Sequence, residues 1–389
     1  MSNFANRVNH LEMEGAYVVM ARAQELEAQG KDIIHLEIGQ PDFKTFAHIS
    51  VAGIGAIAAG HTRYSPAAGI VPLREALAKD AGERRGVTFT PKQVVVGPGA
   101  KPGLFFPTLA LVQPGDEVIY PDPGFPTYAA MIGVAGGKPV PVPLTEENDF
   151  SFNLDEFDRL VNPKTRLIIL NSPGNPTGGI MPLKDLEHIA EAAQKNDAWV
   201  ISDEVYARLV YDGKTAPSII KLPGMAERTI IVDGFSKTYA MAGWRLGYAI
   251  MPEALAERVE LLLNHSVGCT ATFTQMAGVT AVTSSQTQVD EMVAEYTRRR
   301  DRMIDGLNAI PGLHCRKPQG AFYAFPNIKS YGIPAAKLAD RLLEEAGVAA
   351  LAGTTFGAHG EGYIRLCYAT NIDQINEALR RMAEFFKKL

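Results

Sequence analysis

The chain has 389 residues, 46% of them hydrophobic and 21% charged, the balance of an ordinary globular protein. By length it holds roughly two to three domains. Its 38 basic and 43 acidic residues leave a net charge of −5, a weak field of the wrong sign to recruit nucleic acid or an anionic membrane. Cys269, Cys315 and Cys367 lie far apart with no C-x-x-C pair, and the histidines form no H-E-x-x-H, which argues against a disulfide framework or a metal site. The first ten residues carry no apolar signal core, and no window approaches ~18 uninterrupted apolar residues. A cytoplasmic protein is expected.

In chain order, a helical pattern over about 16–29 stops at Gly30, and the apolar run Ile33–Ile38 reads as a strand that turns at Gly39-Gln40-Pro41-Asp42. From about 50 to 290, short β-rich runs take turns with helices. The runs are Val94–Val96, Glu117–Tyr120, Pro139–Val142, Arg166–Asn171, Trp199–Asp203, Thr229–Asp233 and Leu246–Met251. Helices are predicted near Pro102–Leu111, Leu183–Asn196 and Leu255–Leu263. L-I-I-L and W-V-I-S lack polar interruption, as strands covered on both faces do. Alternation of this kind predicts an α/β fold, a mostly parallel seven-stranded sheet with helices on both faces.

Beyond Thr287 a long amphipathic helix to Ile310, a short strand at Phe322–Phe325, a helix over Ala335–Ala346 and a final helix predict a smaller α+β layer. The expected division is 47–286 for the large domain and 1–46 with 287–389 for the small one. The run Arg298, Arg299, Arg300 and Arg302 reads as a solvated helix face.

Ligands of open α/β sheets bind beyond the carboxyl ends of the strands. Four polar segments fall there: Gly99-Ala100-Lys101, Asn171 to Asn175, Asp203 to Tyr206, and Ser236-Lys237. The glycines of Gly97–Gly103 let backbone approach an anion at the start of a helix, although no Walker G-K-[ST] follows. Alone, each segment has a plain structural explanation. Gly99 can be a turn, Asp203 a helix cap or a core ion pair, Lys237 a surface lysine, and Tyr206 and Asn175 structural. Together they are the groups that hold a pyridine aldehyde: an amine for an imine, a buried carboxylate for the ring nitrogen, and donors for the ring oxygen. Arg245 adds a planar fork suited to phosphate.

In this order the motifs L-E-I-G-Q-P-D-F, S-P-G-N-P-T-G, S-D-E-V-Y, D-G-F-S-K-T-Y-A-M-A-G-W-R and I-R-L-C-Y-A resemble the class I/II aminotransferases of the aspartate-aminotransferase type, which use pyridoxal 5'-phosphate. The resemblance covers nearly the whole chain. It implies Lys237 as the Schiff-base lysine and proton shuttle, Asp203 as the partner of the pyridinium, and Asn175 and Tyr206 as ligands of the ring hydroxyl. Phe125 would stack on the ring, Gly99, Ala100 and Lys101 would cradle the phosphate, and Ser236 and Arg245 would add further phosphate contacts. Arg365 would clamp the substrate carboxylate beside Gly39 and Asn175. Tyr64 would reach the phosphate of a neighbouring subunit, implying a homodimer with shared active sites.

The implied reaction moves the amino group of an L-α-amino acid to a 2-oxo acid such as 2-oxoglutarate or pyruvate. A C–S β-lyase on the same fold is the main alternative, and a non-catalytic regulator a remote one. Two features depart from the pattern: Gly234, and the arginine by which one aspartate-specific subgroup holds a distal carboxylate, which has no counterpart because no arginine occurs between Arg258 and Arg298. Gly234 stands where many relatives have serine. The lysine that another subgroup uses for a distal carboxylate is matched by Lys101, but its hydroxyl helpers are replaced by Glu14 and Ala16, and a glutamate there would compete with an acidic substrate. Phe125, Tyr17 and the His265-Ser266 region are candidates for a side-chain pocket.

Overall fold

The computed structural model describes residues 4–9 and 11–389, so the sequence reading of the first ten residues falls partly outside them. Twelve strands form three sheets among the described residues. In chain order they are β1 (Ile34–His35), β2 (Val94–Gly97), β3 (Glu117–Asp122), β4 (Lys138–Pro143), β5 (Thr165–Asn171), β6 (Trp199–Asp203), β7 (Thr229–Gly234), β8 (Gly247–Ile250), β9 (Tyr323–Ala324), β10 (Val348–Ala349), β11 (Leu351–Ala352) and β12 (Ile364–Cys367). The large sheet has the order β2-β8-β7-β6-β5-β3-β4, and only β8 runs against the others. All seven expected strands are present.

Apolar side chains alternate between the two faces of this sheet, the period-2 consequence of the pleat. Ile230 and Val232 of β7 pack with Leu104, Met131 and Val259 on one side, and Ile231 packs with Leu73, Leu77 and Phe235 on the other. Both faces are therefore roofed by helices. Ile230, Ile231 and Val232 are fully buried, so truncating one to alanine would cost about 2–5 kcal/mol.

The remaining sheets are small. β1 pairs in parallel with β10, and β9, β12 and β11 form an antiparallel trio. They lie on a separate core in which Met292, Tyr296, Met303 and Leu307 of the helix Thr287–Asn308 meet Phe322, Tyr323, Leu366, Leu379 and Met382. The run Ile33–Ile38 is a strand only at Ile34–His35; Leu36 still bonds Ala349 and Cys367, and beyond it Ile38 and Gly39 enter the cleft described below.

The basic run is a correction. Arg298 and Arg302 are exposed, but Arg299 and Arg300 are buried. Arg300 is bidentate to Asp212 at 2.8 and 2.9 Å with its guanidinium 4.7 Å from the Tyr211 ring. Arg299 bonds Asp42 at 2.8 Å and lies 5.2 Å from the Phe43 ring. Planar guanidinium groups are weakly hydrated enough to be buried when paired and stacked in this way.

A second buried charge cluster lies just behind the ends of β6 and β7. Arg85 donates to Glu204 at 2.8 Å, while Arg84 and Tyr248 each donate to Asp233 at 3.0 Å. Removing one partner of such a set strands a buried charge, a loss of about 3–5 kcal/mol. The cluster fixes where the two strands end, and hence where Asp203 and Lys237 emerge.

Candidate active site

At the carboxyl ends of the parallel strands opens a cleft of about 550 Å³. Each strand delivers its next residues there. Asn171 closes β5 opposite Asp203 of β6, and β7 runs through Gly234 into the short helical turn Phe235–Thr238, which carries Ser236 and Lys237. Ala100 and Lys101 begin the helix Lys101–Leu111 after β2. Because β8 sits between β2 and β7, that helix start and the Lys237 turn become neighbours although they are far apart in sequence. The packing there is close: a side chain at Gly247 would overlap the backbone of Gly99 and Ala100.

The cleft is lined by Gly39, Ala100, Lys101, Phe125, Asn175, Asp203, Tyr206, Ser236, Lys237, Arg245 and Arg365, so eleven of the thirteen residues singled out in the sequence meet in one place. Gly99 is the twelfth. It stands behind the lining with φ +89, and a Cβ there would run into the Arg245 guanidinium, so glycine is needed for that arginine to approach. Tyr64 lies apart from the cleft and is 99% exposed. His265 and Ser266 are exposed and do not line the cleft, a correction to the expected side-chain pocket; they end the helix Glu253–Asn264. Phe125 and Tyr17 do line it.

Asp203 is 4% exposed. Burial pushes its pKa up to about 6, while a bond accepted from Tyr128 at 2.7 Å and one from the Val205 N–H pull the other way. A carboxylate so placed gains from a cation against it. The Lys237 amine is driven down to about 8, chiefly by burial; the Cys367 thiol opposes this, and Arg365 and Arg245 add to it. A lysine with that pKa has a sizeable neutral fraction near neutral pH and is a competent nucleophile. Its Nζ donates to the Gly39 carbonyl and lies 5.7 Å from the Phe322 ring.

Arg365, on β12, is 3% exposed. Its guanidinium lies against the rings of Tyr323 and Phe356, with centroids at 4.5 and 4.9 Å. It donates to Asn175 Oδ1 at 3.2 Å and to the Glu37 carbonyl, and Nε has no partner. Its partners are all neutral, so the guanidinium keeps its charge at the cleft wall, the condition for a charge-assisted bond to a carboxylate. At the mouth Lys101 forms an ion pair with Glu14 and sits 5.3 Å from the Phe125 ring. A Cβ at Gly234 would make only ordinary contacts at 3.5 Å, so lack of room is not why serine is missing there.

Among the lining residues that sequence reasoning did not single out are two phenols, Tyr128 and Tyr323. Tyr128 stands three residues after Phe125, and its position just inside the start of the helix Thr127–Ala135 was the available signal. Tyr323, in the run Phe322–Phe325, had no signal beyond an ordinary core aromatic.

These groups fit the cofactor suggested by the resemblance. They offer an amine, a buried carboxylate, phenol and amide donors for a ring oxygen, an aromatic face, and a helix start with an arginine for phosphate. Residues 31–382 match the family model "Aminotransferase class I and II". The chain is 42% identical to aromatic-amino-acid aminotransferase 2 of Thermococcus litoralis, covering 93% of this chain and 94% of that one. It is also 42% identical to an aspartate aminotransferase of Pyrococcus abyssi, covering 94% of each. Among solved structures, the aspartate aminotransferase of Thermus thermophilus with maleate superposes with a TM-score of 0.94 at 37% identity, over 99% of this chain and 100% of that one. With a matched model spanning most of its length and relatives this similar end to end, the chain belongs to the class I and II aminotransferases, which transfer amino groups by means of pyridoxal phosphate.

Proposed function

We propose that Lys237 is the base and covalent anchor of this aminotransferase, and that its preferred amino donors have uncharged side chains. The carrying observation is that an amine with a pKa of about 8, a buried carboxylate and a buried arginine whose partners are all neutral line one cleft. When bound, pyridoxal phosphate supplies the aldehyde that carries the amino group and the ring that accepts electrons from the substrate.

The chain supplies the rest. Asp203 holds the ring nitrogen cationic, and Tyr206 and Asn175 donate to the ring oxygen. Phe125 covers one ring face. Gly99, Ala100 and Lys101 present the start of a helix to the phosphate, with Ser236 and Arg245 beside it. Arg365, with Gly39 and Asn175, fixes the substrate carboxylate and so directs the Cα–H bond toward Lys237. Lys237 takes that proton and holds it for return to the aminated product.

Donor choice follows from the rim. Lys101 is already neutralised by Glu14, and the side walls there are Ala16, Tyr17, Met20, Ile38 and Leu104. An acidic side chain would have to displace Glu14, whereas an apolar or aromatic one would only displace water.

We further read 47–286 as the cofactor-holding unit and 1–46 with 287–389 as the unit that closes on the substrate, in a cytoplasmic homodimer. Three observations support a dimer. Tyr64 is 99% exposed, Val51, Ile54 and Ile57 put an apolar stripe in solvent along the helix Ala47–Ala58, and a second cavity of about 780 Å³ adjoins the cleft and shares Arg245 with it. A second copy laid on that stripe could bring its own Tyr64 to the phosphate. The unpaired cysteines favour the cytoplasm.

The test is a panel of amino donors mixed with the yellow holoenzyme, followed by addition of 2-oxoglutarate or pyruvate. Aromatic and aliphatic donors should bleach the visible band faster than aspartate, and the oxo acid should restore it. Faster bleaching by aspartate would overturn the donor assignment. Sedimentation of the wild type and of Ile54→Asp, expected as dimer and monomer, tests the assembly.

A further inference from the structure

Tyr323 belongs to no role assigned so far, yet it touches both halves of the site. It is 1% exposed on β9, directly opposite Cys367 of β12. Its hydroxyl lies 2.7 Å from that of Tyr206. The face of its ring lies 4.5 Å from the Arg365 guanidinium. It also fills the space that a side chain at Gly39 would need, since a Cβ there would overlap the Tyr323 hydroxyl. Gly39 is the residue whose carbonyl receives the Lys237 amine. One phenol therefore meets the proposed ring-oxygen donor, the carboxylate clamp and the loop over the lysine.

We propose that Tyr323 is a positioning residue of the transamination site, which locks Tyr206 and Arg365 into one rigid unit. This rests on the reading of Tyr206 and Arg365 given above. Two separable actions follow. Either hydroxyl can donate to the other; once the Tyr206 proton goes to the ring oxygen, the Tyr323 hydroxyl is left to donate to the Tyr206 oxygen, and this makes Tyr206 a stronger donor, because hydrogen bonds in a chain polarise one another. An aromatic face over a buried guanidinium holds its plane without consuming any of its N–H donors, which stay free for the substrate carboxylate. Phe356 is a second ring against the guanidinium, at 4.9 Å, so Tyr323 acts together with it in limiting the arginine's movement.

The charged and titratable groups around the two phenols are Asp203, Lys237, Arg365 and Cys367. None of these changes in the variants below, so a spectral shift reports the phenol pair.

Two variants of the holoenzyme separate the actions. Tyr323→Phe keeps the ring and removes the hydroxyl. The pH midpoint of the visible-band transition of the bound cofactor should rise, by roughly half to one pH unit, while the dissociation constant of 2-oxoglutarate measured by calorimetry stays within about two-fold. Tyr323→Leu removes the ring as well. It should show the same spectral shift and bind 2-oxoglutarate about ten-fold more weakly, the loss expected for a desolvated cation–π contact. A spectral midpoint unchanged in both variants, or 2-oxoglutarate binding unchanged in Tyr323→Leu, would overturn the proposal. Tyr206→Phe is the control for the underlying reading: if it leaves the spectral midpoint in place, it is the assignment of Tyr206 that fails.

Discussion

The floor and the rim of the cleft both carry cations, and they are held in opposite ways. On the floor, Arg365 is 3% exposed, set against two rings, and bonded to an amide oxygen and a backbone carbonyl. None of its partners carries charge, so its positive charge remains available. At the rim, the Lys101 side chain is 46% exposed and is satisfied by the carboxylate of Glu14. On the reading proposed above, a fixed arginine without a charged partner would select what every substrate shares, the α-carboxylate. A solvent-borne lysine with a partner would discriminate among what differs, the side chain. The contrast shows how one cleft can be strict at one end and adjustable at the other.

The largest expected effect lies on the floor. Lys237→Ala should lower single-turnover amino transfer by about 10⁴-fold, the upper end of what a positioned proton-transfer group contributes. Stopped-flow bleaching of the cofactor band checks this, and retained turnover would remove Lys237 as the base.

The next concerns the cost of that lysine. Its amine has a pKa lowered from 10.5 to about 8, so the folded chain is penalised for its charge below pH 8, and the penalty fades as pH rises toward 10.5. Cofactor-free Lys237→Met should therefore be more stable than the wild type by up to about 3 kcal/mol at pH 7, at ~1.4 kcal/mol per pH unit. The gain should shrink as pH approaches 10, as urea unfolding at the two pH values would show. A gain independent of pH would mean the amine is already neutral or well solvated.

Arg365→Leu should then cost about 2 kcal/mol in substrate binding, the value of hydrogen bonds to a charged group, or roughly thirty-fold in KM for every donor tested. A loss confined to some donors would place Arg365 at the rim in function. The smallest effect sharpens the other side: Glu14→Gln should improve kcat/KM for aspartate about five-fold, the ~1 kcal/mol of an exposed ion pair, and leave an aromatic donor unchanged.

Much of this was legible before any coordinates. L-I-I-L and W-V-I-S could only be strands covered on both faces, and strand ends in such a sheet must converge, so Asp203, Asn175 and Lys237 came together as expected. What stayed hidden depended on partners remote in sequence. The burial of Arg300 is decided by Asp212, 88 residues away, and the place of Tyr323 by Tyr206, 117 residues away. Neither pairing leaves a periodic trace. His265-Ser266 looked suited to a pocket but lies at the exposed end of a helix, which local composition does not reveal. The pairing of Glu14 with Lys101, by contrast, was already implied by the resemblance, which sets those two residues at one place.

The carboxylate of Asp203, sunk behind the Tyr128 phenol with its pKa lifted to about 6, would, on the reading proposed above, tie nutrition to longevity of the polypeptide. A ligand that binds only the native form stabilises it in proportion to the logarithm of its concentration. A vitamin-derived cation that also relieves a desolvated anion adds to that gain. Cells short of the vitamin would therefore lose the enzyme itself to proteolysis as well as its activity.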